Sequence, residues 1–179
     1  MALLSGTIAL VSLLPACGRS SSTTARLSSQ DDHLALEKLF FSAGAEFRVP
    51  PVVVEAVAYV ETRWHRSLPE SADVDDAHLK GFGVMGLRET VSLGQSLERA
   101  AQLVGKPPAD LKTSDELNIR GGAALLRELA GSTASSTDPS DWIDAVRKYS
   151  GIPGLPDANS YAREVFRVVR DGISGSGIE

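Results

Sequence analysis

From Asp31 onward, apolar side chains recur at intervals of three and four, the period of helices that bury one face. Asp31–Phe47 carries Leu34, Phe41 and Ala45 on one stripe, with Leu36, Leu39, Phe40 and Phe47 beside it. Pro50-Pro51 opens the next helix, since a missing N–H costs nothing in a first turn, and VVVEAVAYVETRW carries it to about Trp64. Helices resume at about Leu93–Val104 and break at Gly105-Lys106-Pro107-Pro108. Thr113-Ser114-Asp115-Glu116 reads as a capping box opening a helix to about Ala130, closed by Gly131. Asp138-Pro139 leads into a helix over Trp142–Tyr149, and the last runs from about Asn159 to Arg170 with Gly172 as its stop. No stretch alternates convincingly, so the expected class is all-α, six or seven short helices without internal repeat. The exception is residues 65–90, HRSLPESADVDDAHLKGFGVMGLRET, a polar, glycine-punctuated loop with room for a short hairpin at most. Loops this long inside a domain are usually functional.

Both ends of the chain depart from the pattern. Met1–Ala16, MALLSGTIALVSLLPA, is uncharged and apolar, too short for a comfortable membrane span and suited to the core of an export signal. Leu14-Pro15-Ala16-Cys17 resembles a bacterial lipobox, in which the cysteine is lipidated and becomes the mature N-terminus. The other account of the same residues is an apolar helix with a buried thiol. Residues 18–30, GRSSSTTARLSSQ, read as a disordered tether. The expected organisation is a signal segment over 1–17, a tether over 18–30, a folded domain over 31–172 and a flexible tail over 173–179. Such a protein is exported to the cell envelope, periplasm or outer membrane, and held to the membrane by a lipid on Cys17.

Composition narrows the chemistry. The 179 residues suit one domain, and 18 basic against 23 acidic side chains give a net charge of −5. Without a basic excess, nucleic acid is not an expected partner. One cysteine and three scattered histidines (His33, His65, His78) supply neither a disulfide framework nor a zinc-ligand pattern, so no metal or cofactor is expected. Gly81, Gly83 and Gly86 spell GFGVMG, a literal GxGxxG. The preceding DVDDAHLK cannot be an interior strand, so a dinucleotide site is rejected, and the glycines read as turns or close backbone approach around Met85.

Glu61 carries the most information. On a helical wheel it shares a face with Val54, Val57, Ala58 and Trp64, whereas Glu55 neighbours Tyr59 and Thr62 on a more polar side. A carboxylate on an apolar stripe near a helix C-terminus is poorly solvated and meets the negative end of the helix dipole; both effects raise its pKa. That is one way to obtain a general acid at neutral pH. The structural alternative is an edge glutamate paired with Arg63 or Arg66. Asp73, Asp75 and Asp76 could include a second, water-activating carboxylate, or could be a solvated acidic loop. Trp64 and Trp142 could stack on sugars, though their spacing suits a core. Arg163, Arg167 and Arg170 read as a solvated helix face.

The run AVAYVETRWH resembles the catalytic-helix segment of the lytic transglycosylase and goose-type lysozyme families, where an apolar helix ends in a Glu-Ser pair followed by an aromatic. The family's later Gly-Leu-Met-Gln segment has its counterpart in Gly83-Val84-Met85-Gly86, its Asn-Ile and small-residue helix in Asn118-Ile119 through Leu126, and its Ala-x-x-x-Tyr-Asn-Ala-Gly segment in Ala145–Gly151. The order of these pieces over Val52–Gly151 carries the resemblance. It implies a lysozyme-like all-α domain that cleaves peptidoglycan glycan strands, with Glu61 as general acid/base. Met85 and the Gly83 backbone would line the glycan cleft, with Tyr149 across from Glu61. Thr62, Gly86 and Ser150 depart from the family's Ser, Gln and Asn, and the lost Gln bears on turnover more than on fold. GFGVMGL is also similar to the lysozyme-like domain that precedes the zinc domain of some bacterial cell-wall amidases, which makes such an amidase a candidate partner. The competing class is a non-catalytic, wall-binding lipoprotein.

Overall fold

The computed structural model describes residues 21–66, 81–89 and 95–172. Seven α-helices are present among the described residues: α1 (Ser21–Phe47), α2 (Pro51–Thr62), α3 (Ser96–Val104), α4 (Pro108–Thr113), α5 (Asp115–Ala130), α6 (Ile143–Tyr149) and α7 (Leu155–Asp171). The class is all-α, as the periodicity requires. The only strand-like pairing described is a single antiparallel bridge between Phe82 and Leu87, the short hairpin for which the loop left room.

Three boundaries differ from expectation. α1 begins at Ser21, inside the stretch read as a tether, because each residue added to an existing helix gains a hydrogen bond at little nucleation cost. α4 fills the connection after Gly105, with Pro108 in its first turn; six residues are too few to show a period. That helix takes up Thr113, so the cap of α5 is Ser114, whose Oγ accepts from the Leu117 N–H at 3.3 Å. Cys17, Asp73, Asp75, Asp76 and His78 lie outside the described residues, as do the expected signal segment and tail.

α5 is the axis of the fold. Its Gly121-Gly122-Ala123-Ala124 stretch is buried and small, so α1, α3, α4 and α6 all pack closely on it. α2 lies between α1 and α7 and also touches α5. Trp142 is fully buried, its indole N–H donating to the Ser136 carbonyl at 3.1 Å, so it belongs to the core. α7 buries Ala158, Ala162, Val165 and Val168 and leaves Arg163, Arg167 and Arg170 exposed, the last two paired with Glu164 and Asp171. Among the described residues no helix is long and apolar enough to cross a membrane.

Candidate functional site

α2 is almost wholly apolar, with Val53, Val54, Ala56, Val57 and Ala58 buried, and its last turn carries Glu61 and Thr62. The helix stops at two consecutive non-glycine residues in the left-handed region, Arg63 (φ 53°) and Trp64 (φ 63°). Such residues cost of order 1–3 kcal/mol each unless their surroundings fix them. Here the surroundings do: the Arg63 N–H returns to the Tyr59 carbonyl at 2.8 Å, and the Trp64 indole donates to the Glu55 carbonyl at 3.1 Å. Trp64 thus leaves the Glu61 face and folds back against Phe40, Tyr59 and His33. Glu55, expected on a polar side, is half-buried there, and its pKa is raised by burial and by the nearby Glu37.

Opposite the end of α2 lies the hairpin Gly81–Leu87, closed by Phe82 and Leu87, which exchange N–H···O bonds of 2.7 and 3.0 Å. Gly83 (φ 67°) and Gly86 (φ 61°) turn it, and both lie where a side chain has no room. A Cβ on Gly83 would come within 2.2 Å of the Asn118 amide; one on Gly86 would come within 2.7 Å of Glu61 Oε2. The glycine at 86 therefore has a local cause, since the Glu61 carboxylate occupies the space a side chain would need.

Asn118 locks the hairpin to α5. It is fully buried; its Oδ1 accepts from the Met85 N–H at 2.7 Å and its Nδ2 donates to the Phe82 and Leu111 carbonyls at 3.0 and 2.9 Å. Tyr149 of α6 is buried as well, its hydroxyl donating to the Met85 carbonyl at 2.8 Å. From the α2 side, Thr62 Oγ1 donates to the Val84 carbonyl at 2.8 Å. The Met85 side chain is fully buried and directed at Gly122 in α5. Met85 and Tyr149 are therefore buried and joined to each other, and Gly83 is buried beside Asn118.

The Glu61 side chain is 5% exposed, and both its oxygens are engaged. Oε1 accepts from the Tyr161 hydroxyl of α7 and Oε2 from Arg88 Nη2, each at 2.8 Å. Arg88 leaves the hairpin with its backbone N–H on Ser96 Oγ at 2.8 Å, and its Nη1 reaches the Ser150 carbonyl at the end of α6 at 3.3 Å. The structural alternatives considered for Glu61 do not form: Arg63 lies over the Tyr59 ring and Arg66 pairs with Asp115 at 2.7 Å. Burial pushes the Glu61 carboxyl above its ordinary range, opposed by the Arg88 charge and by the hydrogen bonds from Tyr161 and Arg88. Burial also holds the Tyr161 and Tyr149 hydroxyls well above theirs, so both stay protonated and act as donors.

Arg88 and Tyr161 are the site residues that sequence reasoning missed. Tyr161 did leave a signal: it lies three residues after Ala158 and four before Val165 on the apolar stripe of α7, where a hydroxyl needs a partner. Among the described residues no cluster of His, Cys, Asp and Glu could hold a metal ion. Comparison with family models, with curated proteins and with solved structures yields no match to this chain.

Proposed function

We propose that this domain cleaves the β-1,4 bond between N-acetylmuramic acid and N-acetylglucosamine in peptidoglycan, with Glu61 as its single acid/base. The observation that carries this reading is a carboxyl with raised proton affinity at the end of an apolar helix, facing a glycine hairpin whose backbone is locked from beneath. Neutral Glu61 protonates the glycosidic oxygen as the bond to the anomeric carbon breaks, and the sugar's own acetamido oxygen bonds to that carbon in place of a protein nucleophile. Glu61, now ionised, then takes the proton of the sugar's 6-hydroxyl, whose oxygen displaces the acetamido oxygen from the anomeric carbon and closes an anhydro ring, or that of a water, whose oxygen makes the same displacement and gives a reducing end. Either route regenerates the acid. In the cell, an exported chain anchored through Cys17 would bring the domain to the wall, alone or beside a cell-wall amidase.

A second reading is a wall-binding module without turnover. It is favoured by the closure of the site, with Glu61 5% exposed and hydrogen-bonded through both oxygens. One experiment separates them: mass analysis of the soluble muropeptides released from purified peptidoglycan by the wild-type chain and by Glu61→Gln. Anhydro or reducing-end fragments from wild type alone support the enzyme. Sedimentation with the wall and no fragments from either protein would replace it with the binder.

A further inference from the structure

Two side chains close on the Glu61 oxygens, Arg88 and Tyr161, and of these only Arg88 carries a charge. Arg88 occupies Oε2, the oxygen that faces Gly86, and its own side chain is 14% exposed, more than that of Glu61. Its backbone is fixed by the Ser96 hydroxyl and by the Leu97 N–H, which donates to the Arg88 carbonyl at 3.0 Å. Beyond Cα, its described hydrogen bonds are the one to Glu61 and a longer one, 3.3 Å, to the Ser150 carbonyl. The guanidinium can therefore swing away without disturbing the hairpin, whose own hydrogen bonds run to Asn118, Thr62 and Tyr149. The Tyr161 hydroxyl, on Oε1, would hold the carboxyl in place once Arg88 has gone.

We propose that Arg88 is a latch on Glu61. In the free domain it closes over Oε2; an N-acetylated β-1,4 glycan entering beside the hairpin displaces it and takes that oxygen. This rests on the glycan-cleaving reading and adds the control of its acid to it. Among the described residues, the titratable or charged groups facing Glu61 are Arg88 on the segment leaving the hairpin, Tyr161 on α7 and Tyr149 on α6. Only Arg88 is a cation. Its departure removes the largest influence opposing burial, so the carboxyl takes up a proton when the substrate oxygen arrives. A site closed for most of the time binds more weakly in proportion to its open fraction, so Arg88 is a positioning residue whose loss tightens binding.

The test follows the Glu61 carboxyl by carbon-13 NMR across pH in the full chain, assigned with Glu61→Gln, with and without an N-acetylglucosamine trimer. Wild-type Glu61 should titrate lower than in Arg88→Met, because the guanidinium charge favours the ionised carboxylate. The trimer should move wild type up to the Arg88→Met value and move Arg88→Met little. Arg88→Lys, which keeps the charge and guards against a folding defect in the methionine variant, should titrate near wild type. On peptidoglycan, Arg88→Met should lower the apparent KM severalfold and carry the alkaline limb of the rate profile upward. With a purely structural arginine, Arg88→Met would raise KM, and the trimer would leave wild-type Glu61 at its free-state titration. If the trimer shifts other resonances while Glu61 keeps its free-state titration, the latch is wrong and the glycan reading stands. If wild type releases no muropeptide at any pH and the trimer shifts nothing, the glycan reading fails and the latch falls with it.

Discussion

Two polar side chains lie buried against the same hairpin, Asn118 against Gly83 and Glu61 against Gly86, and they are satisfied by different physics. Asn118, fully buried on α5, is neutral and has its acceptor and both its amide hydrogens placed on backbone groups. Glu61, at the end of α2, brings a carboxylate into a nearly dry site and holds it with one cation and one hydroxyl. An amide satisfied in this way suffices to fix a backbone. A buried ion pair carries a desolvation cost that its attraction often fails to offset. If the hairpin needed only an anchor, a second asparagine would be the better choice. Charge and raised proton affinity at Glu61 suit a site that handles protons, which is why the proposed chemistry is placed there and not at Asn118.

The largest effect that would test this contrast is on the neutral side. Asn118→Ala leaves the Met85 N–H and the Phe82 and Leu111 carbonyls without this partner, and should cost about 3 kcal/mol of stability by denaturant titration. Equal losses from Asn118→Ala and Glu61→Ala would break the distinction between an anchor and a reactive group. Next comes Gly86→Ala, which meets both a φ of 61° and the Glu61 carboxylate. About 2 kcal/mol of stability should go. Because a reacting group misplaced by about 1 Å can cost roughly 100-fold in rate, muropeptide release should fall further than the stability loss explains.

Glu61→Gln should leave the fold within about 1 kcal/mol of wild type near neutral pH, since it removes a buried charge but leaves Arg88 without its counter-ion. Its pH dependence has a definite sign. The folded-state pKa of Glu61 lies above its ordinary value of 4.5, so its contribution to stability is full below that value and is lost as pH rises through the folded pKa. The stability of Glu61→Gln relative to wild type should therefore improve from acid toward neutral pH. A flat difference in paired thermal melts would mean that Arg88 and Tyr161 fully offset the burial.

How much of this was legible in the chain follows the reach of each interaction. Helix period, the proline start of α2, the glycine stop of α5 and the solvated arginines of α7 are local, and all were readable. So was the apolar stripe bearing Glu61, although Trp64 left that stripe because left-handed conformations at Arg63 and at Trp64 itself, which no local pattern announces, end the helix at Thr62. The partners of Glu61 were not legible: Arg88 lies 27 residues away and Tyr161 100, and only the packing of α2 against α7 and the hairpin unites them. Arg63 and Arg66 were nearer in sequence and still not the partners, because the reversal after Thr62 carries them elsewhere. Asn118 was visible as part of a resemblance, yet its role depends on contacts with Phe82 and Met85 that no spacing reveals.

The finest test uses the two tyrosines, each donating one hydrogen bond of 2.8 Å, one to each side of the contrast. Tyr149 donates to the Met85 carbonyl and belongs with the neutral lock; Tyr161 donates to Glu61 and belongs with the charged one. Replacing either with phenylalanine should cost about 1 kcal/mol, so stability alone cannot separate them. Proton affinity can. Tyr161→Phe removes a hydrogen bond that favours the ionised carboxylate, so Glu61 should titrate higher and the alkaline limb of muropeptide release should move up with it. Tyr149→Phe takes its hydrogen bond from a backbone carbonyl, so Glu61 should titrate as in wild type while the melting temperature falls. Equal displacement of the Glu61 titration by both variants would mean that hairpin and carboxylate move as one unit, and that the division between anchor and acid is not real.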